Sequence, residues 1–211
     1  MSGEAHREIV LATRNAGKIR ELTPMLRASG FEPVTLESLR LEEHAAEAAI
    51  EEFDTFDENA AAKARWFVDI AGGRAALADD SGLSVDALAG APGVRSRRWA
   101  TRSGSEGQDQ DEANNARLVR ELASHPDRSA KYVCVAAIAW PGGIVSARGE
   151  CRGMIVGAAR GTSGFGYDPY FLSEELGKTF GEATIAEKAA VSHRARAVRA
   201  ALDAFARAFK A

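Results

Sequence analysis

Residues Ala75 to Asp86, Ala-Ala-Leu-Ala-Asp-Asp-Ser-Gly-Leu-Ser-Val-Asp, set a short apolar run directly against two adjacent carboxylates, a hydroxyl and a glycine. An apolar run of this length predicts a buried strand. Asp79-Asp80-Ser81-Gly82 then predicts the turn at its carboxyl end, the position where open α/β sheets bind ligands. Carboxylate oxygens there are the ligands Mg²⁺ prefers. Asp, Ser and Gly are also favoured in turns for purely local reasons, so an ordinary acidic turn fits the same residues.

Strand and helix periodicities alternate along the rest of the chain. Glu8 to Thr13 predicts a strand, and from Gly17 to Ser29 the residues Ile19, Leu22, Met25 and Leu26 recur at helical spacing until Gly30 closes the helix. Phe31 to Leu36 predicts a second strand, and Glu37 to Asp54 is acidic and weakly patterned. Thr55 to Ile70 is helical, with Phe56, Ala60, Lys63, Ala64 and Phe67 near one side, and ends at Gly72-Gly73. Leu88 to Gly107 is rich in Gly, Pro, Ser and Arg and reads as a long loop, a kind of segment that is often functional. Asp111 to Leu122 predicts a helix, and Ala130 to Trp140 with Ile144 to Arg152 a hairpin across Pro141-Gly142-Gly143. A turn centred between Gly142 and Gly143 sets Cys134 opposite Cys151. A glycine-rich stretch from Gly153 to Gly166 follows. The last helix carries Val191, Ala195, Val198, Leu202, Phe205 and Phe209 at spacings of three and four. Arg196, Arg199, Asp203 and Arg207 make its solvated face.

The 211 residues, 45% hydrophobic and 27% charged, suit one globular domain or two intimately packed lobes. A formal charge of −3 and a pI near 5.9 provide no basic field for gripping nucleic acid. Two cysteines do not make a disulfide framework, and the expectation is a pair of reduced thiols. No stretch reaches the ~18 to 20 apolar residues of a membrane span, and the amino terminus lacks a signal peptide's apolar core. The expected location is the cytoplasm, with no membrane partner.

Several further stretches carry chemistry. Thr13-Arg14-Asn15-Ala16-Gly17-Lys18 lies between a strand and a helix, where backbone N–H groups favour a phosphate and the lysine adds a full charge. It is neither a P-loop nor Gly-x-Gly-x-x-Gly, and a simple capped helix start explains it equally well. In Gly161-Thr-Ser-Gly164-Phe165-Gly166-Tyr167-Asp168-Pro169, glycines let the backbone approach a flat ligand and Phe165 can stack on a base. Aromatics that merely belong to the core would look the same. Lys188 and Ser192-His193-Arg194 add cations, a hydroxyl and further donors near the last helix. No serine triad or zinc-ligand spacing is present.

Six motifs occur in order: Thr13-x-Asn15-x-Gly17-Lys18, Glu58-Asn59-Ala60 with Lys63-Ala64, Ala78-Asp79-Asp80-Ser81-Gly82-Leu83-x-Val85, Gly90-Ala-Pro-Gly93, Gly164-Phe-Gly-Tyr-Asp-Pro169 and Ser192-His193-Arg194. With them the chain closely resembles the inosine triphosphate pyrophosphatase family, also called Ham1-like, over roughly Ile9 to Phe209. The resemblance implies an α/β fold with an elongated mixed sheet flanked by helices, as one domain with two lobes and a nucleotide cleft between them. It also implies a cytoplasmic homodimer that hydrolyses ITP, dITP and XTP to the monophosphate and pyrophosphate with Mg²⁺. Thr13 to Lys18 would hold the phosphates with Lys63 in support. Asp80 would be metal ligand and catalytic base, and Glu51 a second metal ligand. Ser81, Phe165, Gly166, Tyr167, Asp168, Lys188, His193 and Arg194 would line the nucleotide.

Two positions depart from the family. Arg14 stands where a glycine is common, and Val94-Arg95-Ser96-Arg97-Arg98 is unusually basic. The nearest rival is the Maf-like group, which cleaves modified or pyrimidine nucleotides. The Phe165 stretch and Ser192-His193-Arg194 favour the inosine reading. A non-catalytic nucleotide-binding module would lack the metal carboxylates.

Overall fold

The protein is described from a computed structural model covering residues 8–44, 47, 50, 52–100 and 108–208. Strand β1 (Glu8–Leu11) leads into helix α1 (Ala16–Ala28), then β2 (Glu32–Thr35), α2 (Phe56–Ile70) and β3 (Ala76–Val85). Helix α3 (Gln108–Glu121) precedes the long strands β4 (Ser129–Trp140) and β5 (Gly143–Ile155). Short β6 (Phe171–Ser173) and helices α4 (Ile185–Val191) and α5 (His193–Ala208) follow. The six strands form one sheet in the order β2-β1-β3-β4-β5-β6. β1 runs parallel to β2 and β3, with Val10 beside Val34 and Ala76, whereas β5 and β6 are antiparallel. The sheet is therefore mixed. Parallel neighbours require crossover connections, which α1 and α2 supply.

Two compact units share this chain: Met1–Asp80, Cys134–Gly149 and Arg194–Ala211 in the first, Ser81–Val133 and Glu150–His193 in the second. The first packs small residues (Ala12 just past β1, Ala76 and Ala78 of β3, Ala137 and Ala139 of β4) against Ala60, Ala64 and Phe67 of α2. Alanines on both sides let the helix lie close to the strands. The second has larger side chains, with Tyr132, Phe171 and Phe180 in mutual ring contact at centroid separations of 4.7 to 5.9 Å.

The structure departs from the sequence reading in five places. β3 does not turn at Asp79-Asp80-Ser81-Gly82 but runs straight through to Val85. Asp79 is a buried strand residue, and Gly82 is there for close approach, since a Cβ on it would lie 2.2 Å from the Gly93 carbonyl oxygen. The long loop holds two 3₁₀ turns, Asp86–Leu88 and Gly93–Arg98. β5 extends past Arg152 because β6 pairs with Gly153 to Ile155. The hairpin turn is Pro141-Gly142, one residue earlier than expected, with both Gly142 and Gly143 against the Trp140 indole. The pairing of Cys134 with Cys151 rested on the later centre and loses its basis; both are buried free thiols. Finally, Val191 belongs to a separate helix. α4 opens with a capping box between Thr184 and Glu187, and Ser192 leaves helical geometry at ψ 151° before α5 begins.

Candidate functional site

The candidate residues fall into two clusters, one in each unit. In the first, the β1–α1 loop is organised by its own side chains. Thr13 Oγ1 accepts from the Asn15 N–H at 3.2 Å, and Asn15 Oδ1 caps α1 by accepting from the Lys18 N–H at 3.0 Å. Ala16 and Gly17 form the first turn, and Lys18 Nζ reaches the Asp79 carboxylate at 3.1 Å.

Strand alternation sends the adjacent carboxylates of β3 to opposite faces. Asp79 is 1% exposed and binds Arg194 Nε at 3.0 Å as well as Lys18. Burial works to raise its pKa, but Lys18, Arg194 and Lys63 outweigh that and hold the carboxyl far below the usual range. Arg194 in turn donates from Nη1 to Glu21. Burial opposes its charge, and Asp79 and Glu21 overcome it, raising its pKa. Beside them burial, followed by Asp79, pushes the Cys134 thiol well up, so it stays protonated. Asp80, by contrast, is partly exposed. Its Oδ2 accepts from Asn59 Nδ2 at 2.9 Å, while the same amide brackets the Phe53 backbone, accepting from its N–H at 3.0 Å and donating to its carbonyl at 3.1 Å.

Arg14 is turned to another task. Its guanidinium bonds both oxygens of Glu47 at 3.0 and 2.7 Å and the carbonyls of Leu41 and Glu42, which ties the acidic segment to the loop. Arg194, expected along the nucleotide, has Nε and Nη1 on carboxylates and is 2% exposed. Glu51 lies outside the described residues.

The second cluster is built on Asp168, 2% exposed. Its Oδ2 accepts from Lys188 Nζ at 2.6 Å and from the Phe165 N–H at 2.9 Å, and Tyr132 OH stands 3.4 Å from Oδ1. Lys188 Nζ lies 5.1 Å from the Phe165 ring centroid, a cation–π distance. His193 stacks on Tyr132 at 4.5 Å, with 7° between the planes. Gly164 leaves room for Asp168, whose Oδ2 would be 2.0 Å from a Cβ there. Tyr167 donates its hydroxyl to the Ser96 carbonyl at 2.9 Å, and Gly166 is bonded by Asp111 and Asn115 of α3. Burial pushes the Asp111 carboxyl up, the Gly166 N–H working against it. Ser81 follows Asp80 in β3, partly buried.

The structure thus brings Lys18, Asp79 and Arg194 together in one cluster, and Phe165, Asp168, Lys188 and His193 in the other. Sequence reasoning missed Glu21, Asn59, Asp111, Asn115 and Tyr132 as supporting residues. Asn59 stood inside a recognised motif without a role. The spacing of Asp111 and Asn115, one helical turn apart, was the signal available for that pair.

Among the described residues no group of three or more His, Cys, Asp or Glu side chains stands ready for a metal. A magnesium ion chelated by substrate phosphates needs only one or two carboxylates. Asp80, partly exposed and oriented by an amide, fits that need, whereas Asp79 is already neutralised by cations.

The first unit carries a capped β1–α1 loop with Lys18 on Asp79, the second an aromatic ring between glycines, and the sheet is mixed, so the class is α/β. The Ham1 family model matches residues 9–204, and the chain belongs to that family. It is 49% identical over 196 residues to a dITP/XTP pyrophosphatase of Ralstonia nicotianae, covering 91% of this chain and 93% of the relative. A dITP/XTP pyrophosphatase of Frankia alni is 46% identical over 194 residues, covering 90% and 93%. Among solved structures, the Ham1 protein of Coxiella burnetii superimposes with a TM-score of 0.78 at 33% identity, covering 95% of this chain and 98% of that one.

Proposed function

We propose that this chain is a Mg²⁺-dependent nucleoside triphosphate pyrophosphohydrolase that converts ITP, dITP and XTP to the monophosphate and pyrophosphate, clearing deaminated purines from the nucleotide pool. The observation that carries this reading is the likeness, over 91% and 90% of the chain, to proteins named dITP/XTP pyrophosphatase. That likeness disfavours the Maf-like alternative. A cytoplasmic homodimer without nucleic-acid partners belongs to the same reading; no helix among the described residues is long and apolar enough to cross a membrane.

The residues supply a mechanism. Thr13 to Lys18 offer backbone N–H groups at the start of α1 to phosphate oxygens, and Lys18 and Lys63 stabilise the charge that develops on them. Asp80, with Glu51, would hold the metal, and the Asp80 carboxylate takes the proton from the water that attacks the α-phosphorus, in line with the departing pyrophosphate. Mg²⁺, when bound, neutralises charge on the phosphate oxygens. The base stacks on Phe165. Its 6-oxo group is an acceptor suited to a donor-rich surround that includes Lys188 and His193, whereas adenine's 6-amino group would set donor against donor. Arg194, whose guanidinium is aimed by Asp79 and Glu21, keeps its place beside His193 in this reading.

Pyrophosphate release from ITP, dITP, XTP, GTP, ATP and dTTP, with and without Mg²⁺, tests the proposal. Fast release from the first three and slow release from the rest, abolished by chelation, is expected. Release from dTTP or ATP at the ITP rate would overturn it.

A further inference from the structure

Helix α3 contributes nothing to the chemistry above, yet two of its side chains grip both backbone polar groups of one residue of the aromatic loop, and so the two peptides that flank its Cα. Asp111 Oδ2 accepts the N–H of Gly166 at 2.8 Å, and Asn115 Nδ2 donates to the carbonyl oxygen of the same residue at 3.0 Å. Residues at i and i+4 share a helix face, so the two side chains straddle Gly166 from one rigid support. The flanking residues are anchored too. The Phe165 N–H is held by Asp168, and the Tyr167 hydroxyl by the Ser96 carbonyl. Gly164 and Gly166 both adopt left-handed backbone, φ +80° and +62°. Glycines are the residues with most freedom to lose, so a loop with Phe165 between two of them holds its ring in one place only if something outside it fixes the backbone.

We infer that Asp111 and Asn115 are positioning residues for base recognition: by clamping the peptides on either side of Gly166 they hold the Phe165 ring in the pose that meets a purine. This rests on the reading under which Phe165 stacks on the base. The ordering cost of the loop is then met when the protein folds and not when the nucleotide binds, which is the logic of preorganisation. The effect belongs to the base half of the ligand and not to its phosphates.

The test uses the full chain with Asp111→Ala, Asn115→Ala and Asp111→Asn, the last keeping an acceptor oxygen for the Gly166 N–H. Steady-state ITP hydrolysis is measured beside inhibition by inorganic tripolyphosphate, which has no base, and beside hydrogen exchange at the Gly166 amide. For both alanine variants KM for ITP should rise roughly tenfold with kcat within about twofold of wild type. The tripolyphosphate inhibition constant should not move, and Asp111→Ala should lose protection at Gly166. Asp111→Asn should restore a near wild-type KM. A wild-type KM in Asp111→Ala, or an equal weakening of ITP and tripolyphosphate, overturns the clamp while leaving the enzymatic reading intact. A wild-type protein inert toward every purine triphosphate overturns the reading itself, and the clamp with it.

Discussion

Each unit buries one aspartate almost completely, Asp79 at 1% exposure and Asp168 at 2%, and the two are neutralised by different means. Asp79 is wrapped in formal charge, with Lys18 and Arg194 bonded to it and Glu21 balancing the arginine from behind. Asp168 has one cation, Lys188, and otherwise neutral donors, the Phe165 N–H and the Tyr132 hydroxyl, among aromatic rings. Under the proposed function the difference is one of task. A surface meant for a polyanion tolerates a dense group of charges, whose net sign can be set by adding one more cation. A surface meant for a flat base would not, because unpaired charge beside a ring is costly to desolvate. There the carboxylate serves to aim a backbone N–H and a lysine.

Removing each carboxylate is the sharpest way to break the comparison. Asp79→Ala leaves a buried and a partly buried cation without their shared partner, and the expected loss of stability is about 5 kcal/mol, the upper end for a broken buried pair. Asp168→Ala strands only Lys188 and should cost about 3 kcal/mol. Urea denaturation of both variants gives the comparison directly, and equal losses would erase the distinction.

Next in size is the neighbour of Asp79. Asp80→Asn should lower kcat at least ~10²-fold, as loss of a general base does. It should leave the denaturation midpoint and nucleotide binding close to wild type, since Asn59 still has an amide oxygen to donate to. A variant with near wild-type kcat at saturating Mg²⁺ would remove Asp80 from the chemistry.

The smallest effect lies at the helix that carries Lys188. Lys178 first, then the Thr184 backbone and hydroxyl, hold the Glu187 carboxyl down to about 2. An unfolded glutamate titrates near ~4.3. Because the folded value is the lower one, the carboxylate contributes stability above the unfolded value and loses it as the pH falls through the folded one. Glu187→Gln should therefore lower Tm by a few degrees at pH 7, with the difference shrinking toward pH 2 and vanishing below it; a constant difference across that range would contradict the assignment.

Much of this was legible in the sequence because it was local. The β1–α1 unit, with Asn15 as cap and Gly30 as stop, follows from patterns a few residues long, and so does α2 behind Thr55. Misreadings arose where a distant partner changed the meaning of a residue. Asp79 looks like a turn aspartate until Lys18 and Arg194 are in place, and Gly82 looks like a turn glycine until the Gly93 carbonyl packs against it. Ser192-His193-Arg194 reads as one helix start, but its members have different neighbours: Ser192 ends α4, His193 stacks on Tyr132 and Arg194 joins two carboxylates. The capping box Thr184-Ile-Ala-Glu187 was visible and marks the helix that the sequence reading passed over.

The pairing of Asp79 with Arg194 also sets an order of events during synthesis. Asp79 leaves the ribosome 115 residues ahead of the arginine that neutralises it, and Glu21 173 residues ahead. Until the start of α5 emerges, a nascent chain carries two carboxylates destined for the interior without the guanidinium they share. Contacts this far apart in sequence close late, so the first unit, though it contains β1, is completed only once α5 has been made.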